Sequence, residues 1–246
     1  MGNVVAIIEA RTASSRLPGK VLLELGDGLV IDSVVKRLKK SSKIDLICVA
    51  TTTNKEDQVL ADMFSGSEVR VFRGSDWNVL DRVLKAAQDC NAEIIVEITA
   101  DCPFVDPQLV DYMVELLLNN NFEYVANNFA PSFADGFDVQ VYYYDALSRM
   151  AQMDLSELER EHVTMKIRQS QELFRTLNLI APKHLKRPNY SITLDTHEDY
   201  EVIQQVYKSM ESKYGSNYGV YQITEFLDCH PEIVAINSSV HRKGYT

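Results

Sequence analysis

The chain has 246 residues, of which 46% are hydrophobic and 24% charged, with a formal net charge of −10. This is the composition of a soluble globular domain with a sizeable core, and it excludes disordered, collagen-like and disulfide-scaffold classes. The acidic balance argues against a sequence-independent grip on nucleic acid, which needs many Lys and Arg to displace counterions; a local basic site for a small anion stays open.

The apolar run "VVAIIEA" (4–10) predicts the first strand, and "ARTASSRLPGK" (10–20) follows it as a loop with three cations and no acid. The start "MGNVVAIIEA" has no basic leader, and no run approaches 18 apolar residues, so the expectation is a cytoplasmic protein without a membrane span. Strands "DLICVATT", "EVRVFRG" and "EIIVEIT" then alternate with helices predicted over 30–40, 55–64, 79–90 and 107–118. The last of these opens on Asp106-Pro107, a cap followed by proline at the first helical position. Apolar strands separated by helices predict an α/β fold with a mostly parallel, doubly wound sheet.

After residue 128 the rhythm breaks. "DVQVYYY" reads as a strand, "SELEREHVTMKIRQSQ" as a helix and "LFRTLNLI" as a strand, so 129–188 is expected to leave the sheet within a single domain spanning 1–246. "YSITLD" predicts a returning strand that ends at Asp195, and a helix is predicted over 196–214, capped by Asp or Thr of "DTHED". Cys48, Cys90, Cys102 and Cys229 form no C-x-x-C pair and have no histidine at metal-ligand spacing, which predicts reduced, mostly buried thiols.

In open α/β sheets ligands bind outside the carboxyl ends of the strands, where "ARTASSRLPGK", "FRGSD", "TADCPFVDP" and "LDTHED" all fall. Arg11, Arg16 and Lys20, with Ser14, Ser15 and the backbone from Ala10 to Gly19, supply the donors that a polyphosphate requires. The loop matches neither the P-loop nor the dinucleotide fingerprint, and by composition alone a solvated basic loop suits it equally well. Asp101 and Asp195 offer the oxygens that Mg²⁺ uses together with phosphate, although each taken singly also reads as a cap.

"ARTASSRLPGK" resembles the A-R-x-x-S-x-R-x-P-x-K signature of the sugar-activating cytidylyltransferases, the family of the Kdo (3-deoxy-manno-octulosonate) and acylneuraminate enzymes. "RGSDWNVLDR", "TADCPFVDP", "DGFDVQVY", "EREHVT" and "LDTHEDYEVI" follow in order and are most similar to the spore-coat polysaccharide, SpsF-like branch. The resemblance implies a GT-A-like nucleotidyltransferase fold and the reaction of CTP with a 2-keto-3-deoxy sugar acid to give a CMP-sugar and pyrophosphate. It implies that Arg11 and Lys20 contact the triphosphate with support from Arg16 in a lining that includes Ala10, Ser14 and Ser15. It places Arg73 and Ser75 near the cytosine or ribose, and Mg²⁺ on Asp101 and Asp195. Asp135, Gly136, Asp138, Gln140, Glu161 and His162 would face the acceptor sugar or a partner subunit, and the 129–188 region, with the aromatics of "VQVYYY", would support a homodimer. Two readings compete with this one: a glycosyltransferase using a nucleotide sugar, and a non-catalytic nucleotide-binding assembly protein.

Overall fold

The computed structural model describes residues 2–242. β1 (Val4–Glu9) is followed by a loop, one 3₁₀ turn (Lys20–Leu22) and a short hairpin of β2 (Glu24–Leu25) and β3 (Gly28–Leu29). Next come α1 (Val30–Leu38), β4 (Leu46–Thr52), α2 (Gln58–Met63), β5 (Arg70–Gly74), α3 (Val79–Asp89), β6 (Ile94–Thr99) and α4 (Pro107–Asn119). This half follows the predicted alternation. Asp106 caps α4 by accepting from the Gln108 and Leu109 amides at 2.8 and 3.4 Å.

With β7 (Tyr124–Ala126), β8 (Gln140–Tyr143) and β9 (Thr176–Asn178), the sheet order is β5-β4-β1-β6-β8-β7-β9, with β5, β4, β1 and β6 mutually parallel. The chain winds outward from β1 to β4 and β5 and then crosses back to β6, so the topological switch lies between β1 and β6. Alternate residues of β1 serve two cores. Val4, Ala6 and Ile8 pack with α1 and α4, whereas Val5 and Ile7 pack with α3 and α5 (Tyr144–Ala151). Both faces are therefore covered, which is why the strands are apolar throughout.

The predicted excursion over 129–188 is corrected in part. β7 (Tyr124–Ala126) precedes it, and β8 (Gln140–Tyr143) and β9 (Thr176–Asn178), both within that span, rejoin the sheet. β8 runs antiparallel between β6 and β7, and of the aromatics of "VQVYYY" Tyr142 is fully buried whereas Tyr143 and Tyr144 are half-buried. The single helix predicted over 156–171 is two short ones, α6 (Glu157–Glu161) and α7 (Met165–Gln169), separated where His162 leaves helical geometry at φ −103°, ψ 67°. Tyr190–Asp195 makes no ladder strand. It forms one isolated bridge, Asp135 to Ser191, in which the Ile192 amide donates to the Asp135 carbonyl (2.8 Å), and its next inward amide, Leu194, turns to the Asp101 carbonyl (2.9 Å).

α8 (His197–Tyr214) begins as predicted: Thr196 Oγ1 accepts from the Asp199 amide (3.4 Å), and Asp199 returns the bond to the Thr196 amide (2.9 Å). α8, α9 (Val220–Cys229) and α10 (Pro231–Ile236) enclose a third core with Phe104, Phe137, Ile192 and Leu194. The segments that carry Asp135 and Asp195 are fastened to this core. Cys48, Cys90 and Cys102 are buried free thiols and Cys229 is exposed, and no helix among the described residues is long and apolar enough to cross a membrane.

Candidate active site

A cavity of about 350 Å³ opens at the carboxyl ends of β1 and β6, beside the topological switch. Ala10, Arg11, Ser14, Ser15, Arg16, Lys20, Asp101, Asp135, Asp138, Glu161, His162 and Asp195 all line it, so residues from five separate segments meet there.

The basic loop is held in shape by the protein. Buried Asp57 accepts from the Thr12 amide (2.7 Å) and hydroxyl (2.8 Å), and the Thr12 carbonyl accepts from the Gly19 amide (2.8 Å). Gly19 sits at φ +72°, where a side chain is disfavoured, and turns the chain into the 3₁₀ turn that starts with Lys20.

Each loop cation faces a carboxylate. Lys20 Nζ lies 2.6 Å from Asp101 Oδ2 and 2.8 Å from Asp195 Oδ1, Arg16 is 2.7 Å from Asp195 Oδ2, and Arg11 is 3.1 Å from Asp76. Burial works against the Lys20 charge, but Asp101 and Asp195 outweigh it and raise its pKa. Burial likewise opposes the Asp101 carboxylate, yet Lys20 and the Thr99 hydroxyl (2.5 Å) hold its pKa below the usual range. Two hard oxygen donors turned toward one positive charge suit a Mg²⁺ ion that completes its shell with phosphate and water. Among the described residues no three His, Cys, Asp or Glu side chains form a cage that would hold an ion without such help.

The far side of the cleft is acidic. Burial, followed by Asp135 and Asp101, pushes Asp138 up to about 7 against the opposing Arg168. Burial also lifts Asp135 to about 6; Arg242 opposes, and Asp101, Asp195 and Asp199 add to the rise. A carboxyl raised in the fold stabilises it fully below the unfolded value of about 4, and that stabilisation is lost as pH rises through the folded value. Asp138→Asn is therefore expected to raise the melting temperature more at about pH 8 than at about pH 5. Equal shifts at the two pH values would contradict this assignment.

Four predicted residues, Gly136, Arg73, Ser75 and Gln140, are not among those lining this cavity. The Arg73 guanidinium donates to the carbonyls of Thr52 (2.9 Å) and Asn54 (2.7 Å) and to Gln58, fastening the turn after β4. Ser75 Oγ accepts from the Asn78 amide at 3.1 Å ahead of α3. Gln140 is enclosed in a network, donating to Glu97 (2.5 Å) and accepting from Tyr124 and Thr164 (2.5 Å each).

Glu9, Arg82, Thr193 and Arg242 line the cleft without having been singled out from sequence. Burial and then neighbouring Glu97 push the Glu9 carboxyl well above its usual range, with Arg82 opposing. An acid within each apolar strand, Glu9 in "VVAIIEA" and Glu97 in "EIIVEIT", was the available signal. Arg242 carries no comparable sequence signal.

The family model for cytidylyltransferases matches residues 5–223. The chain is 39% identical over 243 residues to an uncharacterised protein of Methanocaldococcus jannaschii, covering 99% of this chain and 98% of that one. It is 36% identical over 212 residues to the spore coat polysaccharide biosynthesis protein SpsF of Bacillus subtilis, covering 85% and 88% of the two chains. A solved cytidylyltransferase structure from Leptospira borgpetersenii superposes with a TM-score of 0.90 at 30% identity, covering 98% of this chain and all (100%) of that one. CMP:2-keto-3-deoxy-manno-octonic acid synthetase, solved with CTP, shares the fold with a TM-score of 0.61 at 18% identity, covering 86% and 99%. With the family match across most of its length and the site at the sheet's switch point, the chain belongs to the cytidylyltransferases and is a nucleotidyltransferase enzyme.

Proposed function

We infer that the enzyme transfers CMP from CTP to the anomeric hydroxyl of a 2-keto-3-deoxy sugar acid of the Kdo or nonulosonic type, releasing pyrophosphate, in surface polysaccharide biosynthesis. The observation that carries this reading is the set of three cations, Arg11, Arg16 and Lys20, lining one cleft with Asp101 and Asp195. A triphosphate calls for more cationic donors than a diphosphate sugar does, which favours CTP over a glycosyltransferase substrate. The names of relatives point the same way: SpsF in spore coat polysaccharide biosynthesis, and the 3-deoxy-manno-octulosonate cytidylyltransferase of Pelobacter propionicus, 30% identical over 118 residues.

The chemistry follows from charge. The acceptor hydroxyl attacks the α-phosphorus in line while pyrophosphate leaves, with little covalent work for the protein beyond positioning and electrostatics. Arg11, its side chain 45% exposed, exchanges Asp76 for phosphate oxygens. Lys20 and Arg11 donate to the departing pyrophosphate, where negative charge grows. Asp101 and Asp195 would hold Mg²⁺, which when bound draws charge from the phosphate oxygens. Asp138, with its carboxyl near 7, is matched to neutral pH for taking the proton of the attacking hydroxyl. The working form in this reading is a homodimer, and exposed Leu158, Leu173 and Ile180 in the 129–188 region supply apolar surface for it.

Incubation with CTP, Mg²⁺ and a panel of Kdo-type and nonulosonic acids is expected to release pyrophosphate with at least one acid. Confirmed CTP binding with no release from any panel member would overturn the reading.

A further inference from the structure

One more guanidinium reaches the cleft, from the other end of the chain. Arg242 lies beyond residue 223, where the family match ends. It lines the nucleotide cleft and also a neighbouring cavity of about 460 Å³, whose wall includes Asn127, Phe133, Met165 and Arg168. Asp135, Asp138 and Arg242 line both, so the two spaces adjoin at these residues.

The anchoring of Arg242 is specific. Its Nη2 and Nη1 donate to Asp199 Oδ1 (2.6 Å) and Oδ2 (3.2 Å). Asp199 is fully buried and also accepts from the Asp195 amide (3.0 Å), the Thr196 amide (2.9 Å) and Asn237 Nδ2 (2.8 Å). One carboxylate thus fixes the start of α8, the backbone of Asp195 and the Arg242 guanidinium relative to one another. A guanidinium has five N–H donors, and two bonds to Asp199 leave others for a ligand. Arg242 Nε is 3.8 Å from Asp135 Oδ2, an ion pair beyond hydrogen-bond reach, and the side chain retains 25% exposure.

At this junction the shared wall presents Asp135 and Asp138, so an anion arriving there meets repulsion unless a fixed cation receives it. Carboxylates suit the hydroxyls of a sugar, and a planar guanidinium suits its carboxylate through paired N–H donors. Arg168, in the wall of the second cavity, adds positive potential on that side.

We propose that Arg242 is a specificity-determining residue of the acceptor site: it holds the carboxylate of the sugar acid where the two cavities adjoin, with the rest of the carbon chain extending into the second. This rests on the sugar-acid reading given above. The test compares the wild type with Arg242→Gln, which keeps an N–H for Asp199 and loses the charge, and with Arg242→Lys. Each is assayed with Kdo and N-acetylneuraminate and with the C1 carboxamide of each acid.

The expected result is a KM for the accepted acid raised roughly 10- to 100-fold in Arg242→Gln, an unchanged KM for CTP, partial recovery in Arg242→Lys and loss of the preference for acid over carboxamide. If Arg242→Gln prefers the acid by the same factor as the wild type, the proposal is overturned and the sugar-acid reading stands. If the KM for CTP rises as much as that for the acid, Arg242 is only a latch on Asp199, and the proposal is again overturned. Wild-type enzyme that uses the carboxamides but neither acid would overturn both.

Discussion

Lys20→Ala is expected to lower turnover by about 10²–10³-fold, the loss typical when one preorganised donor is removed from developing negative charge. Lys20 is the centre of the cluster: its ammonium touches both Asp101 and Asp195, and its side chain is only 12% exposed. Removing it leaves two carboxylates facing each other without their shared cation and, in the proposed reaction, takes a donor from the leaving pyrophosphate. Arg16→Ala should cost less, because among the described residues Arg16 pairs with Asp195 alone and its side chain is 32% exposed. Steady-state pyrophosphate release, with circular dichroism as a control for folding, measures both. A folded Lys20→Ala enzyme at wild-type turnover would show that the site is wrongly placed.

Gly136→Ala should be the most damaging single methyl added near the cleft. Gly136 adopts φ +108°, and a Cβ there would lie 2.8 Å from the Ile192 carbonyl carbon and 2.8 Å from the Thr193 nitrogen, both backbone atoms. The strained backbone alone costs about 1–3 kcal/mol, which for a chain of this size corresponds to a melting temperature lower by roughly 2–12 °C. The clash also acts on function. The Asp135 amide bonds the Tyr190 carbonyl (2.9 Å) and the Ile192 amide bonds the Asp135 carbonyl (2.8 Å), so this contact sets the path of the segment leading to Asp195. Turnover should therefore fall further than the loss of folded protein accounts for. Calorimetry paired with activity per folded molecule checks this, and an unchanged melting temperature would refute it.

How far the fold can be read from the residues differs between the two halves of the chain. Through α4, apolar strands and amphipathic helices repeat in a way that only a covered parallel sheet accommodates, and the Asp106-Pro107 cap, like the later one from Thr196 to Asp199, marks a helix start by local hydrogen-bond chemistry alone. Beyond residue 128 the pattern misleads. "YSITLD" reads as a strand, but it makes one isolated bridge, to Asp135; "DVQVYYY" reads as a strand outside the sheet, but β8 is paired on both sides within it. Strand partners come from distant parts of the chain, and no local periodicity encodes them.

The site divides in the same way. From sequence come the cation loop of Arg11, Arg16 and Lys20 and the two aspartates at the ends of apolar segments: residue type makes their ligand chemistry available, and the resemblance to the cytidylyltransferase signature singles them out. Only the tertiary structure decided that Lys20 bridges Asp101 and Asp195, and that Arg73, Ser75 and Gln140 are engaged in structural hydrogen bonds. It also decided that Arg242 reaches the cleft and the cavity beside it. A side chain's charge is a property of its residue, but the group it faces is set by packing between elements far apart in the chain, where burial and hydrogen-bond competition choose among partners that local sequence cannot rank.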